Sequence, residues 1–422
     1  MPMRYDVIVI GAGIVGLSSA FYIKKENPDL RVAVVERSPT YGQGNTGRSA
    51  AGFRDVFSSD LNYRLSNGSI SFYRHVQDFG TPLGMKFSGY LFLMGKDDRR
   101  LDSFRELAGK IDLSFLPLND LEAMGYLNVK PAGEGAKIMG LQDIETAVLG
   151  KNCGIVEPDR ICAYYYNQCV GMGIEFFFNF NVRELSLEPV HKLDFPGEPF
   201  LWQEKTLGRI TGSGGELEAD RFVLATDVWS TPLLDPTGMD SHVRPKKRQV
   251  FQVSGEQVEK MVFDDRFTGE GVCPFTILPG TGIYLRPAPM EKAFWVGVAD
   301  DLNRDFSFTE DPQPENSFYE MDMLQVIRSY FPAFSSSRMT SGWAGYYSYN
   351  TIDKSPYIFQ NLNIIVATGT SGSGILKGDA IGRTVEAVYS GKETVNLHNG
   401  LKFNTRDLGI YDRKVDPERI IL

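Results

Sequence analysis

Cysteine, basic charge and long apolar runs are all scarce in this chain of 422 residues. Its four cysteines (Cys153, Cys162, Cys169 and Cys273) show no C-x-x-C spacing and are too few for a disulfide framework. We therefore predict reduced thiols, a cytoplasmic protein and no metal site. The formal net charge of −9 argues against nucleic acid as a partner, because phosphate binding needs a basic face. No run approaches the roughly 18 apolar residues of a membrane span, which predicts no transmembrane segment.

A secretory signal is a further possibility that the sequence argues against. Arg4 precedes the apolar run Val7–Leu17, as in a signal peptide, but Asp6 and three regularly spaced glycines interrupt that pattern. We therefore expect the first residues to belong to the folded protein. Hydrophobic residues at 42% and charged ones at 23% are typical of a globular chain, and the length suits two packed domains.

Glycine, by contrast, is abundant, with 43 residues against a usual share of roughly 7%. Three of these glycines lie in residues 11–16 (GAGIVG), between the β-branched strand pattern Tyr5–Ile10 and an apolar helical pattern. A second strand pattern, Arg31–Val35, ends in Glu36. The order strand, glycine turn, helix, strand and acid within about thirty residues is the fingerprint of a dinucleotide-binding βαβ unit.

Each residue of the fingerprint has a physical role. Gly11 permits the tight turn, Gly13 lets the backbone approach a pyrophosphate, and Gly16 lets the helix pack closely on the strands. The helix N-terminus offers N–H groups to the phosphates. Glu36 can accept hydrogen bonds from ribose hydroxyls and would repel a 2′-phosphate, which disfavours NADP. The fingerprint alone leaves FAD and NAD open.

Later segments favour FAD. The glycine-rich stretch Arg37–Gly52 replaces the helix and strand with which an NAD domain usually continues, and it suits contact with a flat, extended ligand. Glu216–Ala225 and Leu362–Ala367 are further strand patterns. The second is followed by the glycine turn Thr368–Gly374 and the helical run Ile375–Tyr389, which would bring backbone N–H groups to a flavin edge.

With these motifs, the whole chain resembles the FAD-dependent amino-acid oxidoreductases of the D-amino-acid oxidase superfamily. The resemblance is greatest to the sarcosine oxidase, dimethylglycine dehydrogenase and L-proline dehydrogenase branch, and the motifs follow one another in the family's order. It rests on Gly11, Gly13, Gly16, Glu36, Thr46-Gly47-Arg48-Ser49, Gly52-Phe53-Arg54, Ala225, Trp229, Trp343-Ala344-Gly345 and Gly369–Gly374.

The resemblance implies an α/β fold in which a Rossmann-like FAD-binding domain is joined to a substrate domain with a mixed or antiparallel β-sheet. The FAD-binding domain would be discontinuous, comprising residues 1–83, 149–243 and 341–422. The substrate domain would comprise residues 84–148 and 244–340, whose alternating strand patterns suggest antiparallel pairing.

Non-covalent FAD is the cofactor that the resemblance implies. Some relatives attach FAD through a cysteine in the segment matching Tyr346–Asp353, and this chain has no cysteine there. The expected FAD-binding residues are Gly11, Ala12, Gly13, Ile14, Gly16, Glu36, Arg37, Gly44, Asn45, Thr46, Arg48, Ser49, Val182, Ala225, Thr226, Trp229, Gly369, Ser371, Gly372, Ser373 and Gly374.

Three positions depart from the family's pattern. Asp227 replaces a glycine in a segment that usually reads Ala-Gly-Ala-Trp, and Ser373 stands where a histidine is frequent. A lysine is common two residues after the last glycine of the turn, but here Leu376 occupies that position and Lys377 follows it. Family lysines near the flavin help oxygen to react, so the shift leaves both an oxidase and a dehydrogenase open.

Arg54 is the first candidate for binding the substrate carboxylate. It directly follows the flavin-binding stretch, where the family places a carboxylate-binding arginine. A guanidinium can hold a carboxylate with two parallel hydrogen bonds. The alternative is a surface ion pair with Asp55 or Asp60, whereas Arg48 is assigned to the cofactor.

The other candidate catalytic residues come from three segments. Tyr346 and Tyr347 follow the Trp-Ala-Gly motif, which borders the substrate in relatives, although aromatic residues are also common in cores. Tyr284 and Arg286 alternate on one expected strand, so they face either substrate or solvent together. Lys377 lies near the flavin or is a solvated helix residue.

We therefore predict an FAD-dependent oxidoreductase that transfers a hydride to flavin N5 from a small amino acid. The expected substrate is a secondary, N-methylated or cyclic amine such as sarcosine, dimethylglycine or proline, with oxygen or an electron carrier as the acceptor. A 2-hydroxy-acid or glycerol-phosphate dehydrogenase is the alternative. None of the four histidines falls in a motif, however, and histidine is the commonest base for alcohol oxidation. An oligomer, or a flavin-bearing subunit of a larger complex, stays open.

Overall fold

Strands form in residues 3–420, the part of the chain that the computed structural model describes, where the sequence has short β-branched and aromatic runs. In chain order they are β1 Met3–Ile10, β2 Val32–Val35, β3 Gly52–Phe53, β4 Tyr90–Met94, β5 Leu113–Leu116, β6 Thr146–Gly150, β7 Gly154–Ile155, β8 Glu175–Phe177, β9 Val182–Pro189, β10 Lys205–Gly212, β11 Gly215–Leu224, β12 Arg244–Ser254, β13 Phe275–Ile277, β14 Tyr284–Ala288, β15 Ala293–Gly297, β16 Arg338–Tyr349, β17 Tyr357–Asn361, β18 Ile364–Thr368, β19 Thr394–Asn396 and β20 Lys402–Asn404. The helices are α1 Ile14–Glu26, α2 Asp60–Asp78, α3 Arg100–Leu107, α4 Leu118–Glu122, α5 Glu134–Ile138, α6 Pro158–Gly171, α7 Ser230–Leu234, α8 Glu256–Val262, α9 Asn316–Phe318, α10 Leu324–Tyr330 and α11 Gly374–Tyr389.

The first sheet contains the βαβ unit that the glycine fingerprint predicts. Its strands are ordered β17-β18-β11-β1-β2-β8, and the β9–β10 hairpin is attached to β11. β1 is parallel to both β2 and β11, and β8 and β18 extend the parallel arrangement. Both faces of β1 are buried: Val7 and Val9 pack towards the helices, while Ile8 and Ile10 pack towards the hairpin. This double burial explains why the strand ends in an unbroken apolar run.

A layer of helices covers one face of the first sheet. α1 packs against α6 and α11, and α11 also packs against α2. The contact between α1 and α11 is close, since a Cβ at Gly382 would lie 2.7 Å from the backbone of Ser18. The first and last thirds of the chain are therefore joined through this layer of helices.

The second sheet has the order β16-β12-β15-β14-β13-β4-β6-β5. Its pairs are antiparallel except for the parallel pair β4–β13. A parallel-sheet unit joined to a mixed, largely antiparallel sheet confirms the predicted fold class. β6 and β16 both belong to the second sheet and run across the expected boundaries at 149 and 341, so the division into residue ranges stays a prediction.

The remaining global features bear on cysteines and membranes. All four cysteines are buried and unpaired. Burial raises the pKa of each thiol, which is typical of structural cysteines. Across residues 3–420, no helix is long and apolar enough to cross a bilayer.

Candidate active site

A cavity of about 860 Å³ runs from the carboxyl ends of the parallel strands to the face of the second sheet. Ile10, Val35, Ala225 and Ala367, at or just after the ends of β1, β2, β11 and β18, contribute to one part of its lining. Tyr90 and other residues of the second sheet line the opposite part. Parallel sheets bind nucleotides beyond the carboxyl ends of their strands, so the position agrees with a dinucleotide site.

The glycine turn after β1 tolerates no side chain at two positions. Gly11 has φ +103°, and a Cβ there would lie 2.6 Å from the carbonyl oxygen of Ala225; a Cβ at Gly16 would lie 1.9 Å from the carbonyl oxygen of Gly11. Gly13 is the N-cap of α1 and has no side chain to cap it, the first turn has no acidic residue, and the N–H of Ile14 donates to the Thr46 hydroxyl at 3.2 Å. The helix N-terminus thus presents its partial positive charge to the cavity, which suits a pyrophosphate.

Glu36 holds the turn in place from the end of β2. Its carboxylate accepts hydrogen bonds from the backbone N–H of Ala12 at 2.8 Å and of Ser38 at 2.9 Å. Each carboxylate oxygen keeps further acceptor capacity, and Glu36 lines the cavity. Beside it, Arg37 stacks on the ring of Trp229 at 4.0 Å. Glu36 can therefore both order the loop and accept hydrogen bonds from a ribose.

Residues 45–48 join the two sheets through motifs from opposite ends of the sequence. Asn45 accepts a hydrogen bond from the backbone N–H of Tyr346 at 2.8 Å. Arg48 donates to the carbonyl of Ala344 at 3.1 Å, and Trp343 donates its indole N–H to the carbonyl of Arg48 at 2.9 Å. The wall of the cavity is therefore built by pairing the Thr-Gly-Arg and Trp-Ala-Gly motifs.

Asp227 departs from the family's glycine but keeps a glycine-like backbone, with φ +52°. Its carboxylate accepts a hydrogen bond from the side chain of Asn45, while Oδ1 has no hydrogen-bond partner within residues 3–420. Burial raises the pKa of the Asp227 carboxyl. The replacement therefore retains the left-handed turn and adds a buried acid at the edge of the cavity.

Most of the expected FAD-binding residues line this cavity, and the others support it from behind. Gly16 packs against the turn, Ser371 accepts a hydrogen bond from the N–H of Asn350, and Ser373 donates to the carbonyl of Thr370. The expected FAD-binding residues that lie outside the lining are Ala12, Gly16, Gly369, Ser371 and Ser373. The expected residues that line it are Gly11, Gly13, Ile14, Glu36, Arg37, Gly44, Asn45, Thr46, Arg48, Ser49, Val182, Ala225, Thr226, Trp229, Gly372 and Gly374.

Arg54 lines the end of the cavity that faces the second sheet. Its guanidinium lies 4.1 Å from the centre of the Phe57 ring and donates to the carbonyl of Val56 at 2.9 Å. Burial lowers the pKa of Arg54, because the charged form is removed from water. Neither alternative partner, Asp55 or Asp60, forms an ion pair with it in the described residues: Asp55 accepts hydrogen bonds from Asn67 and Asn152, and Asp60 pairs with Arg64.

Aromatic side chains surround Arg54 in this chamber. Tyr90 stacks on Phe275 with ring centres 4.1 Å apart, and Tyr284 packs on the same phenylalanine at 5.2 Å. Tyr347 lies on the glycine turn, where a Cβ at Gly372 would come within 2.3 Å of its ring. All four rings line the cavity, so this end is a largely apolar chamber that contains Arg54, with the ion-paired Arg248 over the ring of Tyr347.

Tyr346 lines the cavity as well, but its hydroxyl faces another segment. That oxygen accepts a hydrogen bond from the backbone N–H of Thr309 at 2.8 Å, and its ring stacks on Phe308 at 5.6 Å. Trp229 packs edge-on against the same ring at 6.5 Å. Tyr346 therefore forms part of the cavity wall, with its hydroxyl bonded to Thr309.

The structure places Arg286 and Lys377 outside the cavity lining, so their assignment to the catalytic group stays a prediction that the geometry does not support. Arg286 is buried between Trp295, 4.1 Å from its guanidinium, and the carbonyls of Val156 and Pro287, to which it donates. Tyr284, two residues earlier and at the start of β14, lines the cavity. Tyr284 and Arg286 were expected to face the same way, but only Tyr284 lines the cavity.

Lys377 is turned away from the cavity by its position on α11. Its ammonium donates to Asn62 at 2.6 Å and lies 4.8 Å from the ring centre of Phe57. Leu376 lines the cavity instead. A shift of one residue rotates a side chain by about 100° around a helix, and this accounts for the difference from the family's lysine.

Sequence reasoning missed several residues of the chamber. Tyr90 and Phe275 lie on strands whose alternation predicted a buried face, but nothing in the pattern identified that face as a cavity wall. Arg419 and Ile420 come from a polar stretch with no recognisable motif. The lining residues that were not predicted include Tyr90, Asp227, Arg248, Phe275, Ile277, Leu376, Arg419 and Ile420.

A βαβ unit whose helix N-terminus faces the cavity, with an acid at the end of its second strand, is typical of a dinucleotide-binding protein. The comparison with known families makes the class specific. Residues 6–387 match the family model described as FAD dependent oxidoreductase. The chain belongs to this family, its cofactor is FAD, and the resemblance drawn from the motifs is confirmed.

Individual relatives are similar over almost the whole chain. FAD-dependent oxidoreductase domain-containing protein 1 of Xenopus laevis is 26% identical over 436 residues, covering 94% of this chain and 81% of the relative. Glycine oxidase of Bacillus licheniformis is 24% identical, covering 93% and 94%. The structure of L-proline dehydrogenase from P. horikoshii superposes with a TM-score of 0.72 at 19% identity, covering 93% and 95%. This structural likeness concerns the fold.

We expect denaturation to release FAD from the protein. Within residues 3–420, no cysteine lines the cavity, so no thiol is placed to form a bond with the flavin. The check is the absorption spectrum of the supernatant after acid precipitation of the yellow protein. Flavin that remains with the precipitate contradicts non-covalent binding.

Glu36→Ala is expected to weaken FAD binding about tenfold to a hundredfold. The variant loses hydrogen bonds to a charged acceptor, each worth about 1.5–3 kcal/mol, and frees the N–H groups of Ala12 and Ser38. FAD titration of the apoprotein measures the affinity, and the Tm of the apoprotein separates loop disorder from lost ribose contacts. Glu26→Ala, at the exposed far end of α1, is the control. A lowered apoprotein Tm with unchanged FAD affinity would assign Glu36 to the loop alone.

Proposed function

We propose that this chain oxidises a small secondary, N-methylated or cyclic amino acid, with FAD as the oxidant. The observation that carries the proposal is Arg54, a buried guanidinium that faces the cavity without an acidic partner in the described residues. Of the other six arginines of the lining, Arg183 and Arg419 are exposed to solvent and four form ion pairs. Arg37 pairs with Glu310, Arg48 with Asp311, Arg100 with Asp98 and Arg248 with Asp301.

An unpaired buried charge is costly, and the cost favours an anionic ligand. Taking an ion out of water costs several kcal/mol in real proteins unless a partner compensates for it. Its direct contacts are the carbonyl of Val56 and the face of Phe57, and the charge of Glu418 acts on it without an ion pair. A substrate carboxylate would supply the missing charge and two parallel hydrogen bonds to the guanidinium.

The aromatic walls suit the rest of an amino-acid substrate. Tyr90, Phe275, Tyr284 and Tyr347 provide flat, apolar surfaces that exclude water and restrict the orientation of the bound molecule. When bound, FAD supplies the chemistry by accepting a hydride from the substrate carbon that bears the nitrogen. The chain itself has to hold the carboxylate, orient that carbon and keep the chamber dry.

An amine fits this chamber better than an alcohol. Oxidation of a hydroxy acid usually needs a base for the hydroxyl proton, most often a histidine. No histidine lines the cavity in the described part of the chain. An amine in its neutral form needs no such base, because its own lone pair assists the loss of hydride. The names of two similar proteins, glycine oxidase and L-proline dehydrogenase, also support an amino-acid substrate.

The proposal is tested by mixing the FAD-loaded protein anaerobically with sarcosine, dimethylglycine, proline and glycine and following the band of oxidised flavin. We expect at least one of these compounds to bleach it. Pyrrolidine, which is proline without the carboxylate, is the matched control and should act far more slowly. Bleaching by lactate or glycerol phosphate, with none by the amines, contradicts the proposal. Reoxidation by air, compared with an artificial electron acceptor, then distinguishes an oxidase from a dehydrogenase.

A further inference from the structure

The segment of residues 413–420 passes the N-terminus of α2 and reaches the substrate chamber. Among residues 411–420, only Ile420 is buried, with 2% of its surface exposed; the other residues are exposed or half-buried. Arg419 and Ile420 both line the cavity. A polar stretch thus delivers one apolar side chain to the site.

The start of the segment is fixed by a buried ion pair. Arg413 donates to both carboxylate oxygens of Asp353, at 2.7 and 2.8 Å. The side chains of the two residues are 4% and 2% exposed. The guanidinium also donates to the carbonyls of Ser355 and Pro356. These contacts fix the chain six residues before Arg419, the first residue of the segment that lines the cavity.

A second attachment lies at the N-terminus of α2. Glu418 accepts hydrogen bonds from the backbone N–H groups of Ser58 and Ser59, both at 3.2 Å, and from the Ser58 hydroxyl at 3.1 Å. Asp416 accepts from the N–H of Asp60 at 3.1 Å. Carboxylates are favoured at this end of a helix, where N–H groups lack partners within the helix. The segment is therefore held directly beside the stretch that carries Arg54.

Ile420 packs into the aromatic side of the chamber. It belongs to one apolar cluster with Val56, Tyr90, Phe275 and Ile277, and three of those four residues also line the cavity. Its side chain consequently occupies space next to the surfaces that would contact the substrate. Its size limits the room left for the substrate's non-carboxylate part.

We propose that Ile420 is a specificity-determining residue, which forms one wall of the substrate chamber and restricts the size of the group attached to the bound carboxylate. Attachment of Glu418 to the start of α2 holds that wall in position. The inference rests on the proposed function, in which Arg54 binds the substrate carboxylate. Ile420 would then contact the remaining part of the substrate.

The test measures ligand binding to the FAD-loaded protein by changes in the flavin spectrum. The probes are acetate, cyclopentanecarboxylate and benzoate, with the corresponding neutral amides as a matched series. In Ile420→Ala we expect the affinity for benzoate relative to acetate to rise at least tenfold, because the chamber is larger. In Ile420→Phe the same ratio should fall at least tenfold. Glu418→Ala should shift the ratio in the direction of Ile420→Ala.

Opposite shifts in the two Ile420 variants distinguish a size filter from general damage, which would weaken all probes alike. Val415→Ala, in the same segment but with a side chain 49% exposed, is the control and should leave the ratio unchanged. An unchanged ratio in both Ile420 variants overturns the inference. If amides bind as well as acids, the proposed carboxylate site fails, and the size ratio measured with the amides still decides the role of Ile420.

Discussion

Arg54→Ala is expected to weaken binding of amino-acid substrates at least thirtyfold while leaving the FAD content of the protein nearly unchanged. Losing one partner of a desolvated, hydrogen-bonded charge pair costs about 2–5 kcal/mol, and each 1.4 kcal/mol is tenfold in affinity. Arg54 lies in the aromatic chamber and not at the glycine turn of residues 11–16. The loss of affinity should therefore affect the substrate and not FAD. Anaerobic titration of the flavin band with substrate measures the effect.

Two further variants identify what Arg54 contributes. Arg54→Lys keeps the charge but loses the planar pair of donors, so its affinity should lie between those of the wild type and Arg54→Ala. Arg74→Ala is the matched control, since Arg74 also stacks on a phenylalanine, with 4.0 Å to the Phe87 ring, but lies outside the cavity lining. Loss of FAD from Arg54→Ala would assign Arg54 to the cofactor. An unchanged substrate affinity would move the search for the carboxylate site to Arg248.

The cofactor half of the site is predictable from sequence because its determinants are local. Gly11 needs its positive φ, Gly16 is required by its contact with the carbonyl oxygen of Gly11 in the same turn, and Glu36 follows from the length of one helix and one strand. Such short-range geometry leaves a fixed spacing in the sequence. The strand patterns were placed within a few residues of their observed bounds for the same reason.

The substrate half is less predictable because it is assembled from distant parts of the chain. Tyr90, Phe275 and Ile420 meet only after the second sheet forms and residues 413–420 attach to the N-terminus of α2. Direction also matters more than position: Lys377 and Arg286 lie in the expected segments, yet their side chains point into the protein. No periodic pattern encodes which of two buried directions faces a cavity.

Lys377 is expected to destabilise the folded protein in a pH-dependent way. Burial, and then the neighbouring charge of Arg54, lower the pKa of Lys377 to about 7, from its ordinary value of 10.5. Below pH 7 the lysine is protonated in both the folded and unfolded states, and the folded state bears the full penalty for burying the charge. Between pH 7 and 10.5 the unfolded chain binds the proton and the folded protein does not, so the penalty shrinks as pH rises. The other charges acting on it are those of Glu418, Asp353 and Arg413.

Replacing Lys377 with methionine should therefore stabilise the apoprotein more at pH 6 than at pH 9. With a folded pKa of about 7 and about 1.4 kcal/mol per pKa unit, the difference in gain between these two pH values is roughly 2–3 kcal/mol. The unpaired Asn62 oxygen that the variant leaves behind costs about 1–3 kcal/mol, but this cost does not depend on pH and cancels in the difference. Urea unfolding of both proteins at the two pH values gives the free energies of unfolding.

Lys25→Met is the matched control for this experiment, because Lys25 also lies over an aromatic ring, 5.5 Å from the centre of Phe21, but is exposed to solvent. Its effect on stability should be small and nearly equal at pH 6 and pH 9. The rate of flavin reduction by substrate should stay within about twofold in Lys377→Met, since Leu376 and not Lys377 lines the cavity. A stability gain for Lys377→Met that is the same at both pH values, or larger at pH 9, would show that the buried ammonium stays charged through a partner. A large loss of flavin reduction would return Lys377 to the catalytic residues, where the motif first placed it.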